Sequence, residues 1–532
     1  MIRKRERENK NGDSRKMEDE DQLLFVRESS GLVKEVGPWF ALLLPIALTV
    51  GPYFHFVAPQ VSTWFPGALL VPTFAIGTFA ILFEGVGTMV LMLAMPRSGA
   101  SYHFTGRGLS PIFGVMEGWR SVIANPVFRG SASFFSAKVT GGGLQAIGII
   151  ANNQLLLDMG NAIAGDIIVL VVLALILTFI GFIFSYLSVK ILGWFVIVLG
   201  VVTIVLLLIS DIILIANPIT QTTWDNLFAG TGHEYADLVA GSYITDIGSY
   251  TTLNLAAVAG ALVTAVGIMW PYLIMPVAGE VSQPSRNIPL SCMGGVIGIG
   301  ALFMLSAYAV EVGMGEILYW NNSSTAGIFP GFGNFAAIAL GPSGAILGAI
   351  LVLQPILANT LDGPSNALWV TRPFHAMAMD RLCPEAMAQI HPKYHVPHNS
   401  LYFWLIVQIV IIGMAVFYDV SVAIGVAFTY VFIRWQFSLA EISLPFYRPT
   451  LWERSGAWTI AGIPLVSIAG LVSGAVFFYA LVSFVPTAGV QFETLFTVGI
   501  YFWGQLMYTY YGMKNKAKGV DMSAIFGQLP PE

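Results

Sequence analysis

Charge is what this chain has little of. Only 10% of its 532 residues are charged, where a soluble domain carries about a quarter, and 56% are hydrophobic. Mean hydropathy is +0.74, so an aqueous fold is excluded and most of the chain must sit in an apolar solvent. Cysteine is equally scarce. Cys292 and Cys383 lie far apart, and a disulfide framework is not expected. The first thirty residues lack the apolar core of a signal peptide. They are polar and carry both signs of charge, which reads as a disordered cytoplasmic tail (1–30). A transmembrane body (31–512) and a cytoplasmic C-terminal tail (513–532) follow. No Walker A sequence occurs, so direct driving by ATP is unsupported. No assembled nucleophile or metal constellation suggests an enzyme, and nothing suggests nucleic-acid binding.

What is abundant is apolar length. A bilayer-crossing helix needs roughly twenty apolar residues. Candidates run over 38–60, 67–93, 112–136, 164–186, 191–215, 253–278, 288–312, 342–370, 401–418, 420–439, 458–484 and 492–511. The expected fold is an all-α integral membrane protein of about twelve spans. Lys and Arg fill the tail and every second loop: Arg97 and Arg107, Lys190, Arg286, Arg372 with Arg381 and Lys393, Arg448 with Arg454, and the C-terminal Lys514, Lys516 and Lys518. The stretches 217–250, 313–341 and 485–493 have none. That asymmetry predicts that both termini face the cytoplasm.

The first and sixth spans share an oddity. One reads LTVGPYFHFVAP (48–59), the other GIMWPYLIMP (267–276), each with Pro-Tyr in mid-membrane and a second proline further on. Proline breaks a helix interior but suits the first position of a new helix. Pro52 and Pro271 are therefore expected to open the second halves of two broken helices, with 49–51 and 268–270 unwound. Unwound backbone is tolerated at that depth only where it lines a cavity or is buried in protein. Two breaks five spans apart point to an inverted repeat of spans 1–5 and 6–10, with two further C-terminal helices. Simple proline kinks are the bland alternative.

Four segments carry a family likeness. MPRSGASYHF (95–104) follows the second span, with Gly114 and Gly118-Trp119 after it, and GEVSQPSRNIP (279–289) ends the sixth. AMAMDRLCP (376–384) continues to HPKYHVPHNS (391–400), and Tyr447-Arg448-Pro449 lies between spans ten and eleven. In order and spacing these resemble the amino acid–polyamine–organocation superfamily. The resemblance implies a five-plus-five inverted-repeat permease with its substrate site between the broken first and sixth helices. Thr49, Val50, Gly51 and Tyr53 would face Ile268, Met269, Trp270 and Tyr272 there, and the third and eighth spans would add Arg129 and Asn366. Two departures stand out. The family's glycine-rich break, whose N–H groups hold a carboxylate, is here Gly51-Pro52-Tyr53, and Pro52 has no N–H. The fifth span, ILGWFVIVLGVV (191–202), lacks the lysine that many proton-coupled members place there.

Ionisable groups at bilayer depth are costly and usually functional. Asp362 lies mid-way along the eighth span. It is read as ligating Na⁺ with Thr49 or Val50 carbonyls, carrying the coupling proton, or pairing with a basic neighbour. Arg129 needs an anion: Asp362, a lipid headgroup or the substrate. Arg120 is expected to snorkel to the cytoplasmic surface. Glu84 and Glu117 are secondary candidates, Glu117 being able to pair with Arg120 three residues on. His55, just past the first break, is a second coupling candidate. His391, His395 and His398 invite a metal reading, but Pro392 and Pro397 break any helix that would align them.

The expectation is a secondary active transporter in a prokaryotic cell membrane, moving an amino acid by alternating access. Na⁺ or H⁺ would be the coupling ion, with no prosthetic group and no obligate protein partner beyond membrane lipid. The apolar linings suggest an apolar or aromatic substrate side chain. The rivals are a carrier of polyamines or other amines, and a membrane sensor that binds without transporting.

Overall fold

A computed structural model describes residues 25–26, 29–414, 426–488 and 492–531. Most of the tail at 1–30 lies outside these residues. So does the junction of the spans expected at 401–418 and 420–439.

The chain enters α1 (Pro38–Thr49) through a proline at the helix start, where a missing N–H costs nothing. α1 stops at Val50, whose ψ of 34° is non-helical. Gly51 runs extended at φ −77° and ψ −173°, and Pro52 opens α2 (Pro52–Val57). α3 (Leu70–Ala94) and the short α4 (Ala100–Gly108) lead to α5 (Pro111–Ile150), a 40-residue helix well beyond the span expected at 112–136. α6 (Gln154–Gly165), α7 (Ile167–Ser185) and α8 (Val189–Ala216) follow. Asp166 caps α7 by accepting the Ile168 N–H at 2.8 Å.

α9 (Leu255–Gly267) starts at an Asn254 cap and ends at the second Pro-Tyr motif. No α-helix opens at Pro271. The backbone turns and then runs as a 3₁₀ segment, Met275–Glu280, with Met275 and Val277 bonding back to Tyr272 and Ile274. Pro276 has no N–H to give an α-register begun at Pro271. α10 (Pro284–Met314), α11 (Phe332–Leu340), α12 (Gln354–Met379), α13 (His398–Met414) and α14 (Val426–Tyr447) complete the central body. α15 (Leu465–Ala488), α16 (Phe492–Ala517) and α17 (Met522–Gly527) close the chain. The expected span at 458–484 is helical only from Leu465. Before it, β1 (Thr459–Ile460) and β2 (Ile463–Pro464) form a small hairpin turning at Ala461-Gly462, both with positive φ.

Among the described residues, seven helical stretches are long and apolar enough to cross a membrane. α7 shows why. Ile168, Val172, Ile176, Phe179 and Ile183 recur at helical spacing and are all exposed, an apolar stripe that only lipid can cover. α5 is the reverse. It is buried along most of its length, packing against α12, α6, α16 and α13, and its face holds Glu117, Arg120 and Arg129.

Candidate functional site

The two interruptions meet. The Thr49 hydroxyl, at the end of α1, accepts the Trp270 N–H at 3.3 Å and donates to the Trp270 carbonyl at 3.4 Å. Thr49 thus bonds backbone groups that the broken sixth span leaves out of helical register.

Beside this junction lies a small cavity of about 30 Å³, room for about two waters. Its aromatic wall is Phe128, Trp270 and Tyr430. The Phe128 and Trp270 rings meet edge to face at 5.5 Å, and Trp270 and Tyr430 lie 5.6 Å apart. Tyr53 stacks behind Phe128 at 3.9 Å and donates its hydroxyl to the Phe128 carbonyl at 3.0 Å. α12 presents Asp362, Ser365, Asn366 and Trp369 to the cavity, a stripe at helical spacing. α12 is zipped to α5 by Ser121 and Asn125, which both donate to the Trp369 carbonyl. Asn366 is held by the Trp404 indole N–H at 3.0 Å.

Of the residues named from sequence, Trp270, Tyr272, Asp362 and Asn366 line the cavity. Thr49 and Tyr53 support it through the bonds just described. Val50, Gly51, Ile268 and Met269 are buried in the interrupted segments without lining it. Arg129 lies behind the wall. Its guanidinium donates to the Asn359 side chain and backbone carbonyl, and its Nε stands 3.7 Å from the Asp362 carboxylate. Asp362 Oδ2 has no hydrogen-bond partner among the described residues. His55 lies away from the cavity, buried between Phe54 and Phe332.

Arg120 corrects an expectation. It does not snorkel: it is 1% exposed, lines the cavity and pairs bidentately with Glu117 at 2.8 and 2.6 Å. Glu117 on the preceding turn and the Tyr430 ring hold its guanidinium inside, where residues 117–122 of α5 are all buried. The sequence reading also missed Asn125, Phe128 and Tyr430. Only periodicity could have found them, since Asn125, Phe128 and Arg129 share a face of α5.

Packed contacts flank the two interrupted helices. On the side of α2, the loop helix α11 lays Phe332 on Phe54 with ring centres 4.8 Å apart. On the other side, Glu280 takes two bonds of 3.0 Å from Arg372 and one from Ser98. The Val36 N–H donates to the Glu280 carbonyl, and the Gly99 N–H to the Pro276 carbonyl. Gly99 has φ +93°, and a Cβ there would strike Ala376 and the Arg372 carbonyl, so glycine is required. Arg107 joins Asp380 at 3.0 Å, with the Tyr102 hydroxyl 2.6 Å from the same carboxylate. The conspicuous sequence motifs therefore build these contacts, not the pocket.

A multi-pass body with a small cavity beside two interrupted helices is the build of a membrane transport protein. Residues 57–518 match the amino acid permease family, and the chain belongs to it, a transporter and not an enzyme. It is also similar to the glutamate/serine transporter AimA of Bacillus subtilis (strain 168), at 22% identity over 501 residues, covering 92% of this chain and 83% of that protein.

Proposed function

We propose that this permease carries an amino acid across the cell membrane by alternating access, driven by an ion or proton gradient. The carrying observation is the junction at Thr49 and Trp270 beside a cavity with one carboxylate among its described lining residues, Asp362. Asp362 brings the cavity its negative charge, with Oδ2 buried and turned toward Arg129 at 3.7 Å. A cavity of about 30 Å³ is too small for an amino acid, so the substrate enters only when a wall moves. About twelve spans in an inverted repeat, with both termini cytoplasmic, accord with the chain's loop charges and paired breaks.

The lining is mostly apolar, with Arg120, Asn125, Ser365 and Asn366 as its polar points besides Asp362. The relative named for glutamate and serine makes those two the first substrates to try. An amine carrier is the second reading, because Pro52 offers no N–H to a carboxylate where α2 begins. Uptake and counterflow in proteoliposomes separate these readings, using serine, glutamate, phenylalanine and putrescine under imposed pH and Na⁺ gradients. Transport of serine or glutamate supports the proposal, and putrescine alone supports the amine carrier. Binding without any flux would make the protein a sensor and sink both.

A further inference from the structure

Five buried arginines each have a carboxylate: Arg107 with Asp380, Arg120 with Glu117, Arg129 with Asp362, Arg372 with Glu280 and Arg434 with Glu84. Two buried carboxylates among the described residues have no arginine, Asp211 and Glu441, and the second lies near the Glu84–Arg434 pair. Glu441 on α14 is fully buried, and neither of its oxygens has a hydrogen-bond partner among the described residues. Other buried acids differ in this respect. Asp211, for example, accepts the Ser306 hydroxyl at 2.8 Å.

Glu441 lies seven residues from Arg434 on the same face of α14, about 10 Å along the helix. Its carboxylate rests on Gly87 of α3, where any Cβ would overlap it. Gly87 is one turn from Glu84, and the two acids repel. Arg434 grips Glu84 through two nitrogens, one bond being 2.7 Å. Its remaining nitrogen donates to the Val266 carbonyl, in the last turn of α9 before the break. The guanidinium also stands 5.7 Å over Tyr272, a cavity residue. Cys292 of α10 faces Glu84. α15 brings Gly470 and Gly474 and a Ser473 bonded to Ser438, and its one tyrosine, Tyr479, is exposed.

Two carboxylates and one guanidinium leave one negative charge uncompensated in an apolar interior, which does not persist unpaired. The Gly87 contact leaves no shell of oxygens for a metal cation. We propose that Glu441, with the Glu84–Arg434 pair, is a proton-binding site that reports to the broken sixth helix. Protonated, Glu441 leaves Arg434 to Glu84 and Val266. Deprotonated, it competes for Arg434 and loosens the bond that holds the end of α9, so proton occupancy and cavity opening are coupled.

This rests on the transport reading, and the test has two arms that fail separately. In proteoliposomes with an imposed pH gradient, the wild type should accumulate labelled serine or glutamate. Glu441→Gln should lose gradient-driven accumulation at least tenfold while keeping counterflow exchange. Accumulation at the wild-type level in Glu441→Gln overturns the proposal. A wild type that moves neither substrate counts against the transport reading, and the second arm then decides. Infrared spectra of the purified protein near neutral pH should show a protonated-carboxyl stretch that weakens in Glu441→Gln. An unchanged band, or no band in the wild type, overturns the site. So does a Glu441→Gln protein that fails to fold, because glutamine matches the protonated carboxyl in shape and charge.

Discussion

Replacing Thr49 by valine tests whether the two helix breaks act as one gate. Valine keeps the shape and removes the hydroxyl, so the Trp270 N–H and carbonyl lose their partner in a buried site. Leaving a buried polar group unpaired costs about 1–3 kcal/mol. The two contacts, at 3.3 and 3.4 Å, are long for hydrogen bonds. The lower part of the range therefore applies, roughly 1–1.5 kcal/mol, which is about a factor of ten in an equilibrium. The loss falls only on the state in which the breaks touch, so it shifts the population away from the closed form by that factor. Uptake in proteoliposomes should fall about tenfold in Thr49→Val, at equal protein content and unchanged elution on size exclusion. Thr49→Ser retains the hydroxyl and should stay within about twofold of wild type. If valine and serine variants transport alike, the bridge plays no part in gating. If valine abolishes the folded protein, the hydroxyl serves stability, and the gating argument is equally wrong.

Trp270→Ala removes ring contacts to Phe128 and Tyr430, each worth about 0.5–1.5 kcal/mol. Substrate affinity measured by calorimetry should drop about tenfold or more, and an unchanged affinity would move the site elsewhere. Asp362→Asn strands the buried Arg129, a loss of about 3–5 kcal/mol when one partner of a buried pair goes. The melting temperature in detergent should fall, and adding Arg129→Gln should recover most of it; equal falls in the single and double variants would show the pair is not coupled. Phe526→Ala empties a buried position on α17 beside Arg107 and Tyr102, at about 3–5 kcal/mol. It should lower the melting temperature while leaving substrate affinity within twofold, and a change in affinity instead would tie α17 to the pocket.

The interrupted first helix was legible because proline and glycine act locally. A chain that reads Gly-Pro-Tyr in mid-membrane has few other backbone solutions, and the break falls at Val50–Gly51. The apolar face of α7 was legible for the same reason, since hydropathy and period depend on neighbours along one helix. Glu117 and Arg120 are three residues apart, and their pairing was foreseen, though not its burial; Arg129 with Asp362 was named as one of three choices. Arg434 and Glu84, 350 residues apart, and Arg372 and Glu280, 92 apart, pair only through the fold. Nothing in a one-dimensional pattern announces them, so Arg434 and Glu441 went unremarked. The hairpin before α15 was misread because its average hydropathy is that of a span. Ala461-Gly462 was the signal that a turn intervenes. The missing half-helix after Pro271 has the same lesson, since Pro276 has no N–H for the register that Pro271 would start.

The Glu280–Arg372 contact has a physical consequence if the alternating access proposed above opens the protein there. Glu280 and Arg372 are buried with good geometry, and in that setting attraction is strong but desolvation is costly. When water reaches them the attraction falls to that of an exposed pair, about 0–1 kcal/mol, but each charge regains its hydration. The two changes oppose each other. A buried ion pair on a surface that alternates between dry and wet can therefore part at little net cost. A tightly packed apolar contact of equal area would pay its full transfer free energy on every opening. The same reasoning explains why charged side chains, not leucines, lie where the motifs at 95–104 and 279–289 meet α12. It also separates this contact from the Glu84–Arg434–Glu441 group. That group lies among α3, α14 and α15 and reaches the end of α9 through Arg434, and its extra carboxylate is the one the proton-binding proposal addresses.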